Sequence, residues 1–562
     1  MIYELSEVQR AAVSHGAGPA LVLAGPGSGK TTVITNRSVR LAGAMRSPER
    51  LLCVTFTRAA AAEMRERYRL LAGISGDDVP VPVFSTVHAY CNGIVGMYER
   101  KSGRRFERIE GEDSPKNEVL SKIYEKFNGV RPDEAMLARL KGYFRKEAEG
   151  PAARRRPSGS NQIRRYSEIA REYERVKRER GYLDFDDMIA FALKLLRTEP
   201  ELRREVHGRF DYIQVDEAQD LSRSQYEVIR LIAPGDNIFI VADDDQSIYG
   251  FRGAEPECLF EFVKEFPDTA RYELTRNYHS TPEIVGASAA LVSVNQRRFD
   301  KRLFTLRPEA QGSAAVRSFA DAAAQAEFCA DMARQAVNAG EAVCVLYRNG
   351  MSSLPVRLAL SAFSIPYRTS GNCPETSDSS VVRAFLKELA EAERRSAFII
   401  LSPAGVLRKL LREGFAKRAE EQCRLEGRDR KTVSIGLDFL KMLTAGAASY
   451  TDCLRRLDTL KRFDNGGSTP GVTLSTIHSA KGLEYDLVLV IDVLEGELPG
   501  SEAAGAALED ERRLLYVAMT RAKKRLILCY PEKRGIRGEE ASRFLAECAI
   551  DNPRAEMYNL TG

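Results

Sequence analysis

The sequence predicts an α/β protein built on parallel sheets, and three observations carry the prediction. Four apolar residues, Leu21 to Ala24, run into a glycine-rich turn and then into a segment of helical periodicity from Lys30 through Ala42. Other short apolar runs, Leu51–Val54, Tyr212–Val215 and Asn237–Val241, recur along the chain with the length of buried strands. Each ends in hydroxyls, carboxylates or amides, the residue types that line the ligand edge of an open α/β sheet.

Length and composition bound the rest. At 562 residues the chain exceeds one core, and about 150 residues per domain suggests three or four. No run approaches the roughly 18 apolar residues of a membrane span. Polar Glu4, Ser6, Glu7 and Arg10 stand where a signal peptide needs an apolar core, so a cytoplasmic protein without membrane contact is expected. Ten cysteines are scattered singly from Cys53 to Cys548 with no C-x-x-C pair, which argues against a disulfide framework or a zinc or iron–sulfur site. Net charge is only +5, but Lys101, Arg104, Arg105, Arg108, Arg154 to Arg156, Arg164, Arg165, Lys177, Arg178 and Arg180 cluster. That clustering fits either a polyanion partner or a solvated helical surface with acids interleaved.

Taken in order, Ser6 is placed to cap a short helix carrying Gln9, whose carboxamide can pair with the edge of adenine. Ala24-Gly25-Pro26-Gly27-Ser28-Gly29-Lys30-Thr31-Thr32 fits the Walker A pattern, with Ala24 in place of its first glycine. Its glycines let backbone N–H groups curl around phosphate, and the following helix N-terminus adds partial positive charge. Lys30 would reach the β- and γ-phosphates of ATP and Thr31 would ligate Mg²⁺. The run Leu51–Val54 leads into Thr55 and Phe56, a hydroxyl and a ring that could stack on a base, and Val83–His88 repeats this form with Thr86 and His88 at its tip. Residues 92–208 read as a helical insertion broken by a loop at 150–157, and the aspartates of Tyr182–Met188 suit a helix cap.

The sheet resumes at Tyr212–Val215, followed at once by Asp216 and Glu217. A carboxylate at a strand end can hold Mg²⁺, and its neighbour can orient or deprotonate the attacking water. Asn237–Val241 then leads to Gln246, placed to sense a γ-phosphate, and to Tyr249, Phe251 and Arg252. That aromatic and cationic cluster offers a stacking platform worth about 1–3 kcal/mol per base.

By this point the succession of motifs resembles the superfamily 1 DNA helicases of the UvrD, Rep and PcrA type. The resemblance continues through Leu274–Ser280, Val343–Arg348, Ser364–Tyr367, Val472–Asp486 and Glu509–Ala522. It implies two RecA-like parallel-sheet P-loop lobes with ATP in the cleft between them, each lobe carrying a mainly helical insertion. The expected division is 1–91 and 209–270 for the first lobe, 92–208 for its insertion, 271–371 and 466–562 for the second lobe, and 372–465 for a reduced, mobile insertion. Arg521 is carried over as the arginine finger, Tyr278 as the ring stacked on adenine and Glu484 as the contact to ribose. Single-stranded DNA would be held by Thr55, Phe56, Thr86, His88, Tyr249, Phe251 and Arg252, with Thr476 and His478 from the second lobe. The implied activity is ATP-dependent 3′ to 5′ translocation along single-stranded DNA and unwinding of duplexes at junctions, in repair or replication.

Three departures from the family pattern stand out. His279 takes the place of an arginine that contacts the γ-phosphate, and Arg276 could stand in if that segment is helical. Thr32 takes the place of an arginine over the adenine. The second insertion is short, with Gly371–Ser380 and Phe463–Pro470 as linkers, and lacks the Arg-Gly-Ile-Gly hairpin by which larger relatives touch duplex DNA. The chain ends about forty residues past the last motif with no further domain expected. A DNA-stimulated ATPase that remodels protein–DNA complexes and unwinds only with a partner or second copy is the alternative. A metabolite kinase would share the cradle but leave Gln246, Arg521 and the aromatic cluster unused, and a purely DNA-binding role would leave the carboxylates unused. RNA as the track stays open, because backbone and stacking contacts barely read the sugar.

Overall fold

The computed structural model describes residues 4–76, 79–110, 115–132, 134–148, 163–308, 312–371, 373–375, 379–395, 401–425, 430–465 and 471–550. The chain forms two compact units: Met1–Thr275 with Phe299–Arg302, and Arg276–Arg298 with Leu303–Gly562. The first unit therefore runs past the expected boundary at 270, because Ala270–Leu274 pairs with Ala20–Ala24 as an edge strand. Among the described residues no helix is long and apolar enough to cross a membrane.

The sheet of the first unit has six parallel strands in the order Val83–Thr86, Leu51–Thr55, Tyr212–Val215, Ile238–Ala242, Ala20–Ala24 and Ala270–Leu274. Alternate residues of each strand serve opposite faces. Leu21, Leu23, Leu52, Val54, Ile213 and Ile240 join one apolar core with residues of helices Val87–Ser102, Phe185–Thr198 and Arg223–Ile232. Val22, Leu51, Cys53 and Val241 join another with helices Lys30–Ala44 and Arg58–Ala72. Coverage of both faces is why the strands read as unbroken apolar runs.

Within the stretch expected as the first insertion, helices Lys116–Asn128 and Tyr166–Arg180 form a small core of their own around Leu120, Ile123, Ile169 and Tyr173. Its flanks differ, since helices Val87–Ser102 and Phe185–Thr198 pack into the core of the sheet. Asp184 and Asp187 form the expected cap, a reciprocal capping box on helix Phe185–Thr198. Lys101, Arg108, Arg165 and Lys177 are ion-paired to acidic neighbours, which favours the solvated-surface reading for those positions. The loop at 150–157, with Arg154 to Arg156, lies outside the described residues.

The second unit holds another six-stranded parallel sheet, in the order Ala314–Phe319, Ala522–Pro531, Tyr485–Val490, Val343–Tyr347, Val472–Thr476 and Tyr367–Ser370. The helices expected as a mobile subdomain do not have a separate core. Phe385, Leu407, Phe439 and Leu460 belong to one contiguous apolar cluster with Val345, Leu474 and Leu489 of the sheet. Polar bonds reinforce it: Arg357 Nε donates to Asp464 at 2.9 Å and the Tyr367 hydroxyl to the same carboxylate at 2.6 Å. Parts of both expected linkers, 372, 376–378 and 466–470, lie outside the described residues.

Candidate nucleotide and nucleic-acid sites

The glycine-rich turn leaves strand Ala20–Ala24 and is held from three sides. Gly25 N–H donates to Leu274 O at 2.9 Å, the Ser28 hydroxyl donates to Gly25 O at 2.7 Å, and Gln9 Nε2 donates to Ser28 O at 2.9 Å. Gly27 and Gly29 have φ of 62° and 87°, left-handed values that glycine adopts without strain. A Cβ on Gly29 would come within 2.8 Å of Gln9 Nε2. Helix Lys30–Ala44 starts behind it with no side-chain cap, so its first N–H groups face the turn's concavity as an anion site requires. Beneath it the buried Arg37 donates to Gln214 Oε1 at 2.8 Å and lies 4.2 Å over the Phe239 ring, fixing helix to sheet. This cradle fits a triphosphate.

Gln9 is more committed than its sequence position implied. Its Oε1 accepts from Ser6 N–H at 2.9 Å in a capping box while its Nε2 holds the turn. Ala24 and Pro26 are buried in the turn, and Thr32 O accepts from the Asn36 side chain.

Asp216 follows strand Tyr212–Val215, is 6 % exposed, and accepts from Glu217 N–H at 3.0 Å. Glu217 has φ 51°, an uncommon conformation for a non-glycine residue and one found at constrained sites. Gln219 accounts for how the pair is held: its Nε2 donates to Glu217 Oε2 while its Oε1 accepts from Asp243 N–H at 3.0 Å. Sequence reasoning assigned Gln219 no role. Its position two residues after Glu217 was the available signal.

Asp243 begins a buried run. Gln246, 3 % exposed, closes a single turn through its N–H to Asp243 O at 2.9 Å. Asp243 Oδ2 lies 3.7 Å from Lys30 Nζ. Asp243, Asp244 and Asp245 bring carboxylate oxygens within 4.8 Å of one another, a spacing a metal could use, but the Lys301 ammonium contacts all three.

The same segment continues into the aromatic cluster. Phe56 and Tyr249 stack at 5.1 Å and 13°, and Arg252 lies over the rings of Tyr249 and Phe251 at 5.0 and 5.4 Å. Phe251 is 48 % exposed. Thr55 is buried at its strand end, and its Oγ1 makes no hydrogen bond. Thr86 is the N-cap of helix Val87–Ser102, its hydroxyl accepting from Ala89 N–H at 3.2 Å. His88 meets Phe185 edge-on at 5.6 Å, and Phe185 is an exposed ring at the start of helix Phe185–Thr198 to which no sequence motif pointed.

In the second unit, Arg276 and Asn277 form a two-residue strand, not a helix. His279 lies in the bend that follows, so the helical spacing by which Arg276 could stand in for it is absent. Arg276 instead lies 4.5 Å over the Tyr278 ring. His279 Nδ1 abuts Glu484 Oε1. Burial works against a charge on Glu484, but His279 and Arg521 outweigh it and hold the carboxyl below its usual range. Arg521, 5 % exposed, donates to Val517 O at 3.0 Å, Leu483 O at 3.2 Å and Thr520 Oγ1 at 3.1 Å. Thr476 ends strand Val472–Thr476 and donates to Ser479 Oγ at 2.9 Å, with His478 in the turn that follows.

Two parallel-sheet units, the first with a phosphate cradle and a strand-end carboxylate pair, define a P-loop nucleotide-hydrolysing protein. Residues 5–267 match the UvrD/REP helicase N-terminal domain family, and residues 448–533 match the UvrD-like helicase C-terminal domain family, together more than half of the chain. The chain belongs to the UvrD/Rep/PcrA type of superfamily 1 helicases. It is 29 % identical to YjcD of Bacillus subtilis over 96 % of this chain and 80 % of that protein. It is 26 % identical to the ATP-dependent DNA helicase PcrA of Staphylococcus aureus, over 100 % of this chain and 87 % of PcrA. With DNA helicase II of Salmonella typhimurium the identity is 28 %, over 97 % and 88 %.

Proposed function

We propose that this chain is an ATP-dependent DNA helicase that moves 3′ to 5′ along single-stranded DNA and separates duplexes at single-strand/double-strand junctions. One observation carries most weight. The ten-residue stretch from Asp243 to Arg252 starts 3.7 Å from Lys30 and ends on the ring stacked against Phe56. A single ten-residue segment running between the two proposed sites supports the reading, because coupling hydrolysis to strand movement needs such a link.

In this reading the N–H groups of 27–32 and Lys30 bind the β- and γ-phosphates, Tyr278 stacks on the adenine, and Gln9 meets its edge through the amide hydrogen and lone pair left over from Ser28 and Ser6. Thr31 and Asp216 hold Mg²⁺, which neutralises phosphate charge when bound. Glu217, pinned by Gln219, orients the attacking water and accepts its proton, and Gln246 senses the γ-phosphate. Arg521 supplies the cation that stabilises the transferring phosphoryl group, an effect of about 10³–10⁵ in rate. Glu484 has to leave His279 to meet ribose. Thr55, Phe56, Thr86, His88, Tyr249, Phe251, Arg252, Thr476 and His478 grip the strand. A second copy or a partner protein supports processive unwinding.

Strand displacement on 3′-tailed and 5′-tailed duplexes tests activity and polarity together. Displacement confined to the 3′-tailed substrate, lost in Lys30→Ala with single-strand binding retained, is expected. Displacement of the 5′-tailed substrate alone would refute the polarity. ATP turnover indifferent to single-stranded DNA would refute the motor.

A further inference from the structure

The first unit recovers four residues, Phe299–Arg302, after the chain has passed through the second unit, and both ends of that segment lead back into the second unit. The segment is firmly seated. Phe299 stacks on Phe260 at 4.4 Å and 13°, and its N–H donates to Asp244 Oδ2 at 2.7 Å. Lys301, with its side chain fully buried, places Nζ 2.9 Å from Asp243 Oδ1, 2.6 Å from Asp244 Oδ1 and 3.0 Å from Asp245 Oδ2.

Burying an ammonium is expensive unless it is paired, and three carboxylates buried together are more expensive still. The arrangement shares one cation among three anions. Asp243 is the member that also faces the nucleotide cradle. Its Oδ1 is tied to Lys301, while its Oδ2 is buried, accepts no hydrogen bond and points at Lys30 Nζ 3.7 Å away. Lys30 must leave that carboxylate to reach a triphosphate, so whatever weakens the pull of Asp243 makes nucleotide binding easier.

We propose that Lys301 is a positioning residue for ATP binding: by neutralising Asp243 from behind, it limits how strongly Asp243 holds Lys30 and keeps the cradle's lysine available to phosphate. The proposal rests on the reading of the cradle as the ATP site. It gives the Phe299–Arg302 segment a role beyond packing, since a cation carried on it sets the charge felt at the cradle.

The test is equilibrium binding of the non-hydrolysable analogue AMP-PNP with Mg²⁺ to the full chain, without DNA, by calorimetry. Lys301→Met is expected to weaken binding about tenfold, as one uncompensated charge at that separation does in a partly screened site. Adding Asp243→Asn is expected to restore binding to within about threefold of wild type, because the charge that captured Lys30 is gone. A role confined to packing predicts no such rescue. Unchanged binding in Lys301→Met, or failure of Asp243→Asn to restore it, overturns the proposal. If Lys301→Met loses its fold, Asp243→Asn alone decides: binding at least as tight as wild type supports the proposal, and weaker binding overturns it. No AMP-PNP binding by wild type would overturn the ATP-site reading itself, a different result from tight wild-type binding that Lys301→Met leaves unaltered.

Discussion

Phe56 and Tyr249 lie face to face from separate loops at one sheet edge, with Arg252 over the Tyr249 ring. A stacked pair with an exposed neighbour, Phe251, offers a π-face that any base can use. Phe56→Ala should weaken single-stranded DNA binding by about 1–3 kcal/mol, measured as anisotropy of a labelled oligonucleotide. DNA-free ATP turnover should stay at the wild-type level, because the ring of Phe56 packs on Tyr249 and carries no group that the phosphate chemistry needs. A loss of DNA-free turnover equal to the loss of affinity would mean that the ring acts through folding. Residue identity carried much of this site in the sequence: the cradle, the Asp216–Glu217 pair and the aromatic cluster are contiguous motifs. What could not be read was which atoms the fold already uses. Gln9 spends its carboxamide on Ser6 and Ser28, and Thr86 spends its hydroxyl on Ala89. Lys301 sits more than fifty positions from its carboxylates, beyond any local pattern.

Among the elements, helix Lys431–Thr444 shows how the second insertion is fastened. Asp438, 2 % exposed, accepts from Gly535 N–H with both oxygens, at 2.8 and 2.9 Å. Burial pushes its carboxyl up to about 6, opposed by the Gly535 bond and by the Lys441 and Arg534 cations. A folded-state value above the ordinary 3.8 means that the native protein holds a proton that the unfolded chain has released. Stability from this group is therefore full below about pH 4, falls as pH rises to about 6 and is flat above, a span of roughly 3 kcal/mol. Asp438→Asn keeps one acceptor and never ionises, so its melting temperature relative to wild type should rise between pH 4.5 and 7.5. Asp438→Ala leaves Gly535 N–H unpaired and should cost about 1–3 kcal/mol at pH 4.5 and less at pH 7.5, because alanine does not ionise either. A fall in the relative stability of Asp438→Asn over the same pH range would contradict the assignment. Two strands absent from the sequence analysis share a cause. Ala270–Leu274 and Ala314–Phe319 are edge strands, partly exposed on at least one face, so they lack the unbroken apolar run of the central strands.

For the molecule as a whole, a net charge of +5 over 562 residues is too small to draw DNA in by long-range attraction, which salt screens beyond about 10 Å. Several cations of the first unit are also spent internally, Lys101 on Glu205, Arg108 on Glu99 and Lys177 on Asp187. Affinity must then come from stacking, which salt barely touches, together with a small number of direct phosphate contacts. The two contributions separate by salt titration. A strand whose binding neutralises about four phosphates should lose roughly fifty-fold in affinity between about 50 and 200 mM salt, because single strands release about 0.7 counterion per phosphate. Removing Phe56 should shift that line down without changing its slope. Removing a cation that contacts phosphate should flatten it. A flat response in the wild-type protein would mean that no charged channel grips the strand, and the translocating motor would lose its track.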